Sequence, residues 1–441
     1  MLSNFLTDAA VVVVVLGVMI FVHELGHFMA AKWFGVRVLT FSFGMGKRVF
    51  GFKRGDTDYR LSALPFGGYV KMAGEEPSEN HVPEPHEFQA RPRWQRFVVI
   101  MMGPSMNILM AVTVLTGVYK FHFQRPAYEE QPARVGAVEP DSPASQAGLK
   151  PGDVIVRIEA TLDPQWQDLA TKIMTSAREP LPLEVVRDGQ RLQMTLTPKA
   201  EGRDEIGYVG LAPYEPAVIA KVEPGFPAAQ AGIQVGDEIV AFNGQPCFSY
   251  PTIHEAVQAA QGHEVDLTIR RRGGDFHVHL KPVVSEVAKT KVWRTGVEFA
   301  NDLVTQRLSF DRAFGAAIDF TLRNSLLTFD VLGKILTKRM SPKSLSGPIG
   351  IAQVSGAAYR AGFTDLLMIV SFISLQLGIF NLLPIPILDG GAILILLIES
   401  VIRRNLSLAF KERFVQVGMA FLLFLAVFVV YNDIVKTFRP Y

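Results

Sequence analysis

The run from Ala9 to Val22 contains no charged or hydrogen-bonding side chain, and it continues through His23-Glu24-Leu25-Gly26-His27 to Ala31. As a helix rising about 1.5 Å per residue, this stretch covers about 35 Å, enough to cross a hydrocarbon core of roughly 30 Å. No other feature restricts the fold as strongly, because lipid forces every backbone polar group to be satisfied internally. No Lys or Arg precedes Lys32, so the run lacks the basic n-region of a signal peptide and reads as a retained span. Three further apolar runs follow, at Phe97–Tyr119, Leu366 to about Leu388, and about Val415 to Tyr431. A shorter one, Ala392–Ile402, is too brief to cross alone.

Composition agrees: 20% of residues are charged, below the roughly 25% of soluble proteins, and the apolar excess sits near the two ends. Basic and acidic residues nearly cancel to a net +2, which excludes the broadly basic surface of a nucleic-acid protein. A single cysteine, Cys247, excludes an intrachain disulfide and a cysteine-based metal cluster, and it is expected inside the middle region. Basic residues crowd 32–96 and recur at Arg403, Arg404, Lys411 and Arg413. By the positive-inside rule both segments are cytoplasmic, which places the termini and the 120–365 insert outside and requires four spans.

A shift of 84 residues aligns the insert with itself: Val138-Glu139-Pro140 with Val222-Glu223-Pro224, Gln146-Ala147-Gly148 with Gln230-Ala231-Gly232, and Gly152-Asp153 with Gly236-Asp237. A repeat of this length is a small domain rather than a solenoid turn. The blocks resemble the helix–turn–strand core of bacterial PDZ domains, which bind extended peptides at a sheet edge. That likeness implies carboxylate-type loops near Arg134–Val138 and Ala217–Val222, with spacer or size filter as the alternative role. Between Ser309 and Met340, apolar residues recur at helical spacing, as for an amphipathic helix on the outer membrane face or one packed on the repeats.

His23-Glu24-Leu25-Gly26-His27 is an HExxH pattern, which on a helix turns both imidazoles to one face where they can hold zinc. Glu24 beside them can serve as general base. His23 lies about 21 Å along the span from Ala9, a depth at which three ionisable groups are costly unless they pair or bind an ion. A third ligand is offered by Asp389 in Asn381-Leu382-Leu383-Pro384-Ile385-Pro386-Ile387-Leu388-Asp389-Gly390-Gly391, where the prolines break the helix and the glycines permit a tight turn. His81 and His86 look incidental, and His277 with His279 read as a solvated strand face. Gly103-Pro104 with Asn107 marks a helix kink or part of the cavity wall.

These motifs, with "PFGGYVKM" at 65–72 and "LSGPIGIA" at 345–352, resemble the site-2 protease family of intramembrane zinc metalloproteases, in its Gram-negative branch. The resemblance covers almost the whole chain. It implies one zinc ion on His23, His27 and Asp389, Glu24 as catalytic base, and a substrate-facing surface formed by Asn381, Pro384, Gly67, Gly68 and Tyr69. It also implies that the alternating segment Val38–Met72 is a membrane-associated β-hairpin offering an edge to substrate. Relatives commonly carry His after the double glycine, where this chain has Ala392.

The expected protein is thus an α-helical membrane protein of four spans with a β-hairpin and two inserted, β-rich PDZ domains. Its expected domains are 1–125 (two spans, HExxH and hairpin), 126–212 and 213–290 (PDZ), 291–360 (amphipathic helix and connector) and 361–441 (last two spans). The expected activity is zinc endopeptidase cleavage of single-span proteins in the bacterial inner membrane: a pre-trimmed anti-sigma factor and signal-peptide remnants, with no nucleic-acid partner. The termini and PDZ domains would be periplasmic and the active site towards the cytoplasm. Two rivals are a non-catalytic PDZ scaffold with a residual metal site, and a metal transporter.

Overall fold

The computed structural model describes residues 2–438 except 76–81, 83, 122, 127, 129–130, 203–204, 273, 288–289, 301–302 and 307; His81 lies outside the described residues. Among the described residues four helices are long and apolar enough to cross a membrane: Thr7–Trp33, Arg93–Phe121, Phe363–Asn381 and Leu408–Lys436. The described residues form two compact units, one of 1–123, 306–333 and 345–441, the other of 124–305 with 334–344.

In the first unit, helix α1 (Leu2–Trp33) is followed by strands β1 (Val38–Arg54) and β2 (Thr57–Met72), then α2 (Arg93–Phe121), α3 (Phe310–Leu336), α4 (Pro348–Ala361), α5 (Phe363–Asn381), α6 (Asp389–Ile402) and α7 (Leu408–Phe438). The helices α1 and α2 cross with their backbones almost touching. A Cβ built on Gly26 would lie 2.2 Å from the Met102 carbonyl oxygen, and only a residue without a side chain fits there. The Ser374 hydroxyl of α5 donates to the Asn107 carbonyl at 2.9 Å, a bond that fixes α5 against α2 where lipid offers no other partner.

The third span departs from expectation. Its helix starts at Phe363 and stops at Asn381, well short of Leu388. Pro384 and Pro386 cannot donate to a helical ladder, so 382–388 is irregular and α6 begins afresh at Asp389, with Leu388 extended at its N-cap. Asp433 of α7 makes a comparable join, accepting from the main-chain N–H groups of Gly347, Ile349 and Gly350 at 2.9, 2.9 and 3.0 Å. It thereby caps α4 in place of a local N-cap side chain.

The β segment is more than a simple hairpin. Phe41 pairs with both Val70 and Tyr59, while Phe52 also pairs with Tyr59. Each strand is bent, so four rungs lie in the order 68–72, 38–43, 58–61, 50–54. Val36, Val38, Phe41, Val70 and Met72 pack with Ala30, Ala31 and Val99 in one buried cluster, which seats the 68–72 rung against α1 and α2. In α3, Ala313 and Ala317 are buried against Val112, Leu115 and Val118 of α2, while Phe310, Leu322, Leu326 and Phe329 remain exposed. The expected amphipathic pattern is present, with its small-residue face turned to α2.

The second unit carries the sequence repeat into space. Strands Val154–Ile158, Leu181–Arg187 and Gln190–Leu196 pair antiparallel around Ile155, Leu169, Leu181 and Val185. Strands Ala217–Val222, Glu238–Phe242, Val265–Arg271 and Gly274–Leu280 repeat the plan around Ile219, Ile239, Leu267 and Ile269. Each such apolar side chain, once buried, contributes about 1.5–3 kcal/mol. Arg187 grips Asp153 at 2.7 Å and Arg271 grips Asp237 at 2.6 Å, at positions offset by the same 84 residues. The Arg271 guanidinium holds the Asp237 carboxyl below its ordinary pKa.

The segments expected as carboxylate-type loops are strand instead. Val135–Val138 pairs with Leu211–Pro213, and the Val135 N–H donates to the Asp153 carbonyl at 2.8 Å. Ala217–Val222 lies between Glu238–Phe242 and Val297–Phe299. One partner of each, Leu211–Pro213 and Val297–Phe299, lies more than 70 positions downstream, beyond the reach of local pattern. Cys247 is half-buried against the second core, with its thiol 3.4 Å from the Ser249 carbonyl.

Candidate metal centre

Turning on one face of α1, His23 and His27 bring their Nε2 atoms to 3.1 Å from each other. Across from them Asp389, the first residue of α6, places Oδ2 3.0 Å from His23 Nε2 and Oδ1 3.5 Å from His27 Nε2. Among the described residues this is the one group of three such side chains whose ligand atoms all lie within 4.8 Å of one another. The HExxH helix and the proline-broken span, some 360 residues apart in the chain, thus meet at a single point.

The remaining ring nitrogens identify what the cluster fits. His27 Nδ1 donates to the Val99 carbonyl at 2.8 Å, which leaves Nε2 with its lone pair aimed at the cluster. His23 Nδ1 stands 3.2 Å from the Asn107 carboxamide nitrogen, and the carboxamide oxygen is buried with no partner. A half-turn of that carboxamide lets Oδ1 accept from His23 Nδ1–H and frees His23 Nε2 in the same way. Two imidazole lone pairs and a carboxylate then converge with no donor among them, an arrangement that calls for a cation. Nitrogen atoms bound tetrahedrally to zinc at 2.0–2.1 Å lie about 3.3 Å apart, close to the separation seen here. The donor set fits zinc, and each ring is oriented from behind by a carbonyl or amide, as metal-bound histidines are.

Asn107 is completely buried, and replacing it by Leu is expected to weaken zinc binding about 10- to 100-fold without unfolding the protein, read by competition with a fluorescent chelator. Unaltered zinc affinity would show that the carboxamide does not orient His23.

Glu24 faces the same space. Its Oε2 accepts from the Val70 main-chain N–H at 3.1 Å, so the 68–72 rung holds the carboxylate in place. The four groups open into a cavity of about 670 Å³ that is also lined by Gly67, Gly68, Tyr69, Asn381 and Ala392. Of the expected substrate-facing residues, Pro384 is exposed and does not line this cavity. For Gly103 the sequence leaves helix kink and cavity wall both open. The structure sets it against the ligand-bearing edge of both imidazoles, where an added Cβ would stand 2.3 Å from His27 Nε2 and 2.9 Å from His23 Cε1. Its one sequence signal was a glycine inside an apolar span. His277 and His279 are exposed beside Asp266, with Nδ1 3.1 and 3.9 Å from its carboxylate, and do not line this cavity.

Comparison with known proteins gives the family. Residues 11–425 match the model of Peptidase family M50. The regulator of sigma-E protease RseP of Escherichia coli strain K12 is 32% identical, over 98% of this chain and 99% of that protein. The regulator of sigma E protease of Haemophilus influenzae is 31% identical over 98% of this chain and all of its own length. A Treponema pallidum protein provisionally named as a zinc metalloprotease is 34% identical over 96% of this chain and 97% of its own. With four helices able to span a membrane and a match over nearly its whole length, the chain belongs to Peptidase family M50, the site-2 protease family of zinc metalloproteases.

Proposed function

We propose that the protein is an inner-membrane endopeptidase that cleaves single-span membrane proteins within or near the spanning segment, with His23, His27 and Asp389 holding one zinc ion and Glu24 as catalytic base. The observation that carries this reading is the meeting of an HExxH face with an intramembrane carboxylate, beside a second carboxylate that a main-chain N–H holds in place. Four ionisable groups on apolar helices are expensive unless they serve an ion or a reaction.

Zinc bound there supplies Lewis-acid chemistry, acidifying water and polarising the scissile carbonyl. Glu24 Oε1 takes the proton from the attacking water and delivers it to the leaving amine, while the Val70 N–H keeps Oε2 fixed. Asn381, Gly67, Gly68 and Tyr69 face the same cavity and bind substrate. A helical substrate must unwind before its peptide bond is exposed, and pairing with the 68–72 rung would hold it extended.

The two repeats are PDZ domains in this reading. Facing the periplasm with both termini, they exclude intact ectodomains by size, so that only pre-trimmed substrates reach the site. The names of the E. coli and H. influenzae relatives, together with the resemblance of the motifs, support an anti-sigma factor as one substrate class. Signal-peptide remnants are a second.

The test is cleavage of a model single-span substrate by purified full-length protein. Zinc-loaded protein is expected to cut it, a chelator to stop the reaction, and added zinc to restore it. Absence of cleavage by the zinc-loaded protein overturns the reading. Metal flux into liposomes would favour the transporter instead.

A further inference from the structure

The cavity that holds the metal centre has a second polar end. Besides His23, Glu24 and Asp389 it is lined by Arg96, Glu399 and Lys411. Glu399 is fully buried. Its Oε1 accepts from Lys411 Nζ at 2.7 Å and from the Leu406 main-chain N–H at 2.9 Å, but Oε2, also buried, has no hydrogen-bond partner. Arg96 is 7% exposed, donates from Nη1 to Gln89 Oε1 at 2.7 Å, and keeps a buried Nε–H with no partner. A carboxylate oxygen and a guanidinium N–H are thus left unmatched in the wall of one cavity. Native interiors seldom tolerate that without a ligand or a role.

Their chemistry restricts what can fill the gap. A ligand there must donate to Glu399 Oε2 and accept from Arg96 Nε–H. A carboxylate would face Glu399, and an ammonium would face both Arg96 and Lys411, so neither ion suits. An apolar group would leave both partners bare. A hydroxyl or carboxamide carries both the donor and the acceptor that the pair calls for.

Position along the chain follows from α6. Asp389 and Glu399 stand ten residues apart on one helix, about 15 Å at 1.5 Å per residue. An extended peptide at about 3.3 Å per residue covers that distance in four or five residues.

We propose that Glu399 and Arg96 form a specificity subsite for a neutral hydrogen-bonding side chain (Asn, Gln, Ser or Thr) of the substrate, four or five residues from the scissile bond. The proposal rests on the endopeptidase reading above, and it adds a sequence preference to it.

The experiment uses full-length zinc-loaded protein and a leucine-rich single-span peptide in which one residue at a time, three to six positions on either side of the cut, is changed from Leu to Gln. At one position Gln is expected to raise kcat/KM at least about tenfold over Leu. In the double variant Glu399→Leu/Lys411→Leu the carboxylate leaves together with its ion-pair partner, so the Lys411 ammonium is not stranded, and Arg96 keeps its bond to Gln89. Leu and Gln peptides should then be cut at equal rates.

Binding to the inactive Glu24→Gln protein is measured in parallel, and the Gln peptide should bind about tenfold more tightly than the Leu peptide. Equal binding of the two peptides, or a Gln preference that survives in the double variant, overturns the subsite. Tighter binding of the Gln peptide with no cleavage by wild-type protein overturns the endopeptidase reading and leaves the subsite standing.

Discussion

Gly103→Ala is expected to yield a folded protein that has lost most of its zinc and its proteolytic activity. The added methyl would stand 2.3 Å from His27 Nε2 and 2.9 Å from His23 Cε1, inside the contact distance of both imidazoles. One ring or both must turn away, and a turn of His27 also breaks its 2.8 Å bond to the Val99 carbonyl. The helix itself does not suffer, because Ala favours helix over Gly by about 1 kcal/mol. The loss is therefore confined to the metal. Zinc affinity should fall by at least about 100-fold, at the upper end of what disturbing a ligand's support costs. Zinc content by plasma mass spectrometry and the thermal unfolding midpoint separate the outcomes: low zinc with an intact fold is the expected pair. Full zinc and full activity would mean that the two rings are not where the ion is held.

Glu24→Gln makes the complementary case, a protein with its zinc and without its chemistry. The amide is nearly isosteric, and its carbonyl oxygen can still accept the Val70 N–H that holds the carboxylate at 3.1 Å. What it lacks is the ability to take a proton. Positioned general bases contribute about 10²- to 10⁴-fold, and kcat on a single-span substrate should fall by at least the larger factor because the same group must also protonate the leaving amine. Zinc content and substrate affinity should not change. A variant retaining more than a tenth of wild-type kcat would remove Glu24 from the reaction and revive the reading of a scaffold with a residual metal site.

Sequence and structure agree where the physics is local. Four long apolar helices, an i, i+4 histidine pair, prolines that stop α5 and the 84-residue repeat are all properties of short windows, and each appears in the fold. Asp389 was legible because a carboxylate on broken backbone inside a membrane has few reasons to exist. Partners supplied by distant main chain were not legible. The Val99 carbonyl behind His27 lies 72 residues away and carries no side-chain signal. The downstream strand on 217–222 likewise comes from about 75 residues further on, so those segments became inner strands rather than loops. Val38–Met72 reads as a hairpin from alternation alone, whereas the doubled pairing of Phe41 and Tyr59 makes a bent four-rung sheet. Arg96 and Lys411 read as basic residues flanking the spans and Glu399 lies inside an apolar run, and only their meeting in the wall of the metal cavity gives them a role.

The central claim, that one zinc ion is held by His23, His27 and Asp389, is tested most directly by zinc-edge X-ray absorption of the purified full-length protein and its Asp389→Ala variant. The account predicts one zinc per wild-type chain, bound by two imidazole nitrogens and light oxygen ligands at about 2.0–2.1 Å, and little or no zinc in the variant. A zinc site whose spectrum and occupancy are the same with and without Asp389 would contradict it.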